Sequence, residues 1–273
     1  MYNEYFGLKE TPFNVTPDPK FIFFSRKHMD AFSALVYGIE SRKGFIQITG
    51  DIGAGKTTLC RAVLEKLKET RVQSALILNP CLSELLLLRT ITEDFGIPVK
   101  AQNKKDCFDA LNRYLLEQFN RGYNSVLIID EAQDLTLKAL EQIRLLSNLE
   151  TNTDKLLQIV LVGQPELRDT LNQPSLAQLR QRVHVRFHLT ALDRQEVEEY
   201  ILHRLHVAGM DERANFIFTK EAIDLIYDQS RGIPRMINKL CDWAMLGAFS
   251  KKLLTIDDKV VENVAVEAEG VMC

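Results

Sequence analysis

The sequence predicts an α/β fold, a parallel sheet layered with helices, followed by a small all-helical domain. Three observations carry that expectation. Strand-like runs alternate with helix-period runs between Phe45 and Leu189, the pattern of repeated βα units. The first of those strands leads directly into a glycine-rich turn and a helix. Past Ala191 the strand signals vanish and four helix-period runs follow.

Residues 1–25 hold aromatics among prolines: Tyr5-Phe6-Gly7-Leu8, Pro12-Phe13, Pro17-Asp18-Pro19 and Phe21-Ile22-Phe23-Phe24. Prolines so spaced forbid a long helix. The stretch reads as an ordered arm, serving as an adenine-side wall, as a clamp on a neighbouring subunit, or as simple hydrophobic anchoring. Ser25 then caps a helix from about Arg26 to Ser41, with Met29, Phe32, Leu35, Val36 and Ile39 at helical spacing.

Phe45-Ile46-Gln47-Ile48-Thr49 is the first strand, and Gly50-Asp51-Ile52-Gly53-Ala54-Gly55-Lys56-Thr57-Thr58 follows it. That run fits G-x-x-x-x-G-K-[ST], the phosphate-binding loop. Glycines let the backbone fold into a nest of N–H groups facing phosphate oxygens. Lys56 supplies a mobile charge for the β- and γ-phosphates, and Thr57 a hydroxyl for Mg²⁺. The helix from Lys56 to about Glu69 aims its positive end at the same anion.

Gln73–Asn79 reads as a second strand ended by Pro80. Helices are expected over Ser83–Phe95 and about Lys105–Gly122, with a break at Gly96-Ile97-Pro98. The next strand, Ser125-Val126-Leu127-Ile128-Ile129, looks buried, since a buried parallel strand is expected to be apolar and four of these residues are, and it ends in Asp130-Glu131. The carboxyl end of such a strand is where ligands sit in an open α/β sheet. Asp130 can join the Mg²⁺ shell and Glu131 can orient and polarise an attacking water. The glycine loop and this acid pair together predict a hydrolase of ATP or GTP.

A helix over Leu135–Leu149 buries Leu140, Ile143, Leu146 and Leu149. Gln158–Val162 is the fourth strand, Pro174 to about Gln181 a short helix, and Val183–Leu189 the fifth strand. The fifth alternates sharply, with Arg182, His184, Arg186 and His188 on one face and Val183, Val185, Phe187 and Leu189 on the other. Either this is an edge strand with a solvated face, or a basic stripe that meets a partner subunit or nucleic acid. The histidines lack cysteine or carboxylate companions at ligand spacing, so no metal site is expected of them. Helices then follow over Asp193–Ala208, Thr219–Ser230, Pro234–Ser250 and Asp257–Glu267, with Thr190, Thr219 and Thr255 near three starts as caps and Gly209 and Gly232 at the breaks.

The net charge of −3 argues against a bulk electrostatic grip on nucleic acid, though not against a local stripe. The five cysteines, Cys60, Cys81, Cys107, Cys241 and Cys273, form no C-x-x-C pair and read as reduced thiols of a cytosolic protein. The start has neither a basic nor an apolar leader region, so no signal peptide is expected, and no apolar run approaches a membrane span.

The order of these motifs resembles that of an AAA+ ATPase, and more closely the ExeA/GspA type, named for general secretion pathway protein A. The residues that carry the resemblance are Phe6-Gly7-Leu8, Pro12-Phe13, Pro17-Asp18-Pro19, Ser25 with His28, Gly50 to Thr58, Asp130-Glu131-Ala132-Gln133, Gly163-Gln164-Pro165-Glu166-Leu167, Leu179-Arg180-Gln181-Arg182, and Gly232-Ile233-Pro234-Arg235-Met236-Ile237-Asn238. The resemblance implies a five-stranded parallel sheet of order 5-1-4-3-2 with a C-terminal helical lid. It divides the chain into an arm (1–25), a nucleotide-binding α/β domain (26–190) and the lid (191–273). It implies ATP and Mg²⁺ as cofactors. Gln164 would be the sensor after the fourth strand, Arg180 or Arg182 the arginine finger reaching a neighbour's ATP, and Arg235 the lid's second sensor. A guanidinium so placed is worth roughly 10³–10⁵ in rate where one has been removed.

The implied partners are further copies of the chain, in a nucleotide-dependent ring or filament, and an inner-membrane secretion, pilus or exopolysaccharide component. The location would be cytoplasmic. Longer members of this branch carry a transmembrane helix and a peptidoglycan-binding domain after the lid. A chain ending at Cys273 is expected to be either a stand-alone member or the cytoplasmic portion of something larger, without a direct cell-wall role. Two other functions stay open: a DNA-associated AAA+ regulator of transposition type, and an ATP switch that hardly hydrolyses.

Overall fold

A computed structural model describes residues 2–98 and 103–270, without the side chains of 265–270. Cys273 lies outside them. The chain forms two compact units, one of Met29–Ile52 and Leu59–Leu189, the other of Met1–His28, Gly53–Thr58 and Thr190–Cys273.

The first unit is built on five parallel strands: β1 (Phe45–Gly50), β2 (Val72–Ile77), β3 (Asn124–Ile129), β4 (Leu157–Gly163) and β5 (Val183–Leu189). Their order, β2-β3-β4-β1-β5, is the expected one read from the other edge. Every residue of β1, β3 and β4 is buried, including the polar Gln47, Thr49, Asn124, Ser125 and Gln158; the edge strands β2 and β5 are partly open. Helices run in the intervening segments. The sequence places them by their caps, although α1 (Tyr2–Phe6) and α2 (Arg26–Glu40) come before the sheet. After α3 (Lys56–Leu67), Ser83 caps α4 (Glu84–Asp94), Asn103 forms a reciprocal box with Asp106 at α5 (Lys104–Asn120), and Thr136 caps α6 (Leu137–Leu146). The Thr136 cap moves the start of α6 to Leu137 from the expected Leu135. α7 (Pro165–Leu171) follows β4. The short helix expected from Pro174 is a single 3₁₀ turn, Pro174–Leu176, continued by α8 (Ala177–Arg182). Leu87, Ile91, Leu111, Leu127, Ile129, Leu140, Ile143 and Leu161 fill the core on one sheet face.

β5 is the edge strand that one reading of its alternation requires. Arg182, however, is the last residue of α8 and does not belong to the strand's stripe. The ladder between β1 and β5 also slips by one residue: Phe45 pairs with Val183 but Ile46 with Val185. This bulge brings Arg186 opposite Gln47 and His188 opposite Thr49.

The second unit holds α9 (Arg194–Val207), α10 (Lys220–Ser230), α11 (Pro234–Ser250) and α12 (Asp258–Gly270), packed around Ile201, Leu205, Ile226, Ile237, Cys241 and Met245. Thr219 caps α10 as expected. Thr190 does not cap α9, because Asp193 does so in a box with Glu196, and at α12 the side chain of Asp257, rather than Thr255, accepts from Val260 N. Phe6, Leu8, Phe13 and Phe21 of the N-terminal arm are buried in this core, so the arm's packing is hydrophobic anchoring. Buried Arg204 fastens it, donating to the Pro12 and Asn14 carbonyls with its guanidinium over the Phe21 ring.

Candidate functional site

The glycine-rich segment starts at the carboxyl end of β1, and close approaches dictate its glycines. A Cβ on Gly50 would lie 2.7 Å from the Leu189 carbonyl oxygen. Gly53 and Gly55 have φ of +81° and +93°, values that side-chain-bearing residues rarely adopt. A Cβ on Gly53 would stand 2.6 Å from Cβ of Arg235, whose amide donates to the Gly53 carbonyl at 3.3 Å. Arg235 opens α11 just after Pro234, so the structure brings this predicted residue to the loop. Lys56, buried, and Thr57 begin α3, with Thr58 next in the same turn; Asp51 and Ile52 are exposed and Ala54 is buried.

Ala54 is held by a residue whose role the sequence reading did not assign. Buried His28 lies 3.0 Å through Nε2 from the Ala54 carbonyl oxygen and 2.9 Å through Nδ1 from Ser25 Oγ. A carbonyl only accepts, so Nε2 carries the proton, and Nδ1 accepts from the serine hydroxyl. Burial holds the imidazole below its ordinary value of 6.5, and the ring is neutral. The signal was present: Ser25 and His28 were among the residues of the resemblance, three apart at a helix start.

At the ends of β3 and β4 the sheet unit gathers Asp130, Glu131 and Gln164. Asp130 is buried and its Oδ1 accepts from the Glu131 amide at 2.9 Å. Glu131 has a left-handed backbone, φ +50°, which turns the chain sharply after β3. Gln133 ties the cluster together. Its Nε2 donates to Glu131 Oε2 at 2.8 Å, and its Oε1 accepts from the Gln164 amide at 3.0 Å. Gly163 is needed there, since a Cβ would stand 2.8 Å from that Oε1. The pairing of Thr49 with Gly163 sets the end of β1 beside this cluster. No role had been assigned to Gln133, although it stands in the Asp-Glu-Ala-Gln motif.

The two arginines of α8 point to partners in their own chain. Arg182 Nη1 donates to Ser147 Oγ and Asn148 Oδ1 at 2.5 and 2.6 Å, and Arg180 Nη1 donates to the Asn172 carbonyl at 3.2 Å. Neither is brought into the cluster of Asp130, Glu131 and Gln164 by any described hydrogen bond or ion pair.

A parallel sheet of this order, a glycine loop after β1, an acid pair after β3 and a polar residue after β4 define the class of P-loop NTPases called AAA+. A family model described as AAA domain matches residues 39–171. The chain is 43% identical over 272 residues to general secretion pathway protein A of Aeromonas hydrophila, a match covering 99% of this chain and 49% of that protein. It is 30% identical over 139 residues to an uncharacterized HTH-type transcriptional regulator of Methanocaldococcus jannaschii, covering 50% of this chain and 34% of that one. The chain thus spans about half the length of the first relative and about a third of the second. Among solved structures, the Aeropyrum pernix ORC2 protein in its ADPNP-ADP complexes has the same fold, with a TM-score of 0.71 at 17% identity over 95% of this chain and 72% of that one. The chain thus carries an AAA domain over residues 39–171 and, over nearly its whole length, is similar to general secretion pathway protein A.

Proposed function

We propose that this chain is a Mg²⁺-dependent ATPase whose cycle reshapes an oligomer of itself, in the service of a bacterial envelope secretion, pilus or exopolysaccharide apparatus. The observation that carries the chemistry is the Glu131 carboxylate, held by Gln133 at the strand ends where a ligand of such a sheet binds. The pathway rests on the relative from Aeromonas hydrophila.

In this reading the backbone from Gly50 to Thr58 cradles the phosphates. The positive φ of Gly53 and Gly55 supports it, because side chains there would meet Arg235 and His28. Lys56 neutralises the β- and γ-phosphates. The Thr57 hydroxyl and the Asp130 carboxylate are hard oxygen donors of the kind Mg²⁺ takes alongside phosphate, so the donor set fits that ion. When bound, Mg²⁺ would offset charge on the phosphates. Glu131 orients the attacking water and takes up its proton. Gln164 senses the γ-phosphate, Arg235 senses it from the helical unit, and Arg180 or Arg182 acts as a finger on a neighbouring protomer. The work would be done in the cytoplasm. Among the described residues no helix is long and apolar enough to cross a membrane.

Two substitutions test this. Lys56→Ala should abolish tight Mg·ATP binding in calorimetry, because the phosphates lose their main cation. Glu131→Gln should leave binding intact and slow hydrolysis by roughly 10²–10⁴, the range for a positioned acid–base group. Parental affinity in the first, or parental rate in the second, would refute the assignment. The similarity to an HTH-type regulator favours a second reading, a DNA-associated regulator, and salt-dependent DNA binding by the purified chain would establish it. A rate near zero at every protein concentration would instead identify an ATP switch.

A further inference from the structure

Gln47 occupies the middle of β1, inside the sheet, and is 5% exposed. No described hydrogen bond involves its side-chain amide, whose atoms are not among the fully buried ones and so open onto accessible space. It faces a cavity of about 280 Å³ that lies wholly within the sheet unit.

The cavity is lined by basic and amide side chains together with the apolar Leu171, Val183 and Phe187. The bulge in the β1–β5 ladder puts Arg186 beside Gln47 and His188 beside buried Thr49 on the same sheet face. Arg168 of α7, Arg180 of α8 and Asn172 also line the cavity, and among the described residues no carboxylate does. None of the three arginines makes an ion pair with a described residue. A guanidinium has five N–H donors. The described bonds take one from Arg186, to the Arg180 carbonyl, and one from Arg180, to the Asn172 carbonyl. Thr49 Oγ1 lies 3.0 Å from His188 Nδ1 and fixes that ring at the edge of the cavity.

Arg168 and Arg186 are exposed and Arg180 is half-buried, so water solvates them in the free chain, but no described carboxylate offsets the three charges around this recess. An oxyanion does: it accepts from guanidinium, amide and imidazole N–H groups at once, and relieves the repulsion among the arginines. The volume falls at the lower edge of the range for small-molecule sites, which suits a compact anion better than a nucleotide.

We propose that this cavity, floored by Gln47 and Thr49 and walled by Arg168, Arg180, Arg186 and His188, is a binding site for a phosphate-type dianion, distinct from the glycine-rich loop.

The test is calorimetry on the Lys56→Ala chain, and on the parent chain saturated with a non-hydrolysable ATP analogue, so that the glycine loop does not contribute. Inorganic phosphate and glycerol 3-phosphate are titrated separately, to tell a free phosphate site from one for a phosphomonoester. A short single-stranded oligonucleotide forms the third arm. One phosphate or one phosphomonoester should bind per chain. Arg186→Gln and Arg168→Gln should each weaken it about tenfold or more, while leaving ATP binding by the parent unchanged. Gln47→Leu should weaken phosphate binding, because the amide donor at the floor of the cavity is removed. A folded chain that takes up neither ligand would overturn the proposal, as would binding indifferent to both arginine substitutions. Binding of the oligonucleotide alone would also overturn it, and would assign the arginines to nucleic acid.

Discussion

His28 is the sharpest test of how the glycine-rich loop is held, because its two ring nitrogens each have one partner and both partners are buried. His28→Ala removes the donor to the Ala54 carbonyl and the acceptor for the Ser25 hydroxyl. Ala54 and Ser25 are 1% and 3% exposed, so neither group regains a partner from bulk water. Leaving a buried polar group unpaired costs about 1–3 kcal/mol, which makes about 2–6 kcal/mol for the two. Water entering the vacated space would recover part of it. A remaining loss of about 2 kcal/mol, all felt as disorder in the loop, weakens nucleotide binding about 30-fold. The assay is calorimetric ATP affinity, with circular dichroism to establish that the chain is folded. The titration adds a second readout. The folded ring is held below 6.5 by burial, whereas a ring released from the loop titrates near 6.5. Above 6.5 both forms are neutral and the loop has its full stability. As pH falls through 6.5 towards the folded value, only the released form takes up a proton, so stability declines. ATP affinity should therefore fall as pH drops through 6.5, and the part due to His28 should be missing in His28→Gln, whose amide can still donate to Ala54 but cannot be protonated. If His28→Ala binds ATP as the parent does, the imidazole is not what orders the loop.

Three further outcomes follow from the geometry. Gln133→Leu keeps the bulk but strips Glu131 Oε2 of its donor and the Gln164 amide of its acceptor; if the bond of about 1.5–3 kcal/mol to the carboxylate serves orientation, the steady-state rate should fall about tenfold to a hundredfold with ATP affinity unchanged, and an unaltered rate would reduce Gln133 to a scaffold. If an arginine of α8 acts on a neighbour, activity per chain should rise with protein concentration, Arg182→Ala or Arg180→Ala should flatten that rise, and mixing the affected variant with Lys56→Ala chains should restore some activity; mixtures that assemble but stay inactive would refute action in trans. Gly232→Ala should strongly destabilise the helical unit, since the added Cβ would lie 1.9 Å from the Leu192 carbonyl oxygen at a φ of +73°, and an unchanged melting curve would contradict that contact.

The strands and the glycine loop were legible because their chemistry is local. A buried parallel strand is mostly apolar, as β3 is from Val126 to Ile129, and a phosphate nest needs glycine at set spacings, as at Gly53 and Gly55. What could not be read depended on pairing across the fold. Strict alternation put Arg182 on the β5 stripe. Yet β5 begins only at Val183, and the slip after its first pair decides which side chains meet β1. That slip is invisible in the spacing of β5, because it depends on which β1 residue each β5 residue pairs with. The same holds for His28 and Gln133. Each lay in a motif that was noted, but its use is defined by an atom far along the chain: the Ala54 carbonyl for one, the Gln164 amide for the other. Residues of this kind bear on the candidate site through the groups they position. Their substitution should change loop order or carboxylate orientation and leave the phosphate-contacting groups in place, so kinetics that separate affinity from turnover distinguish them from Lys56 and Glu131.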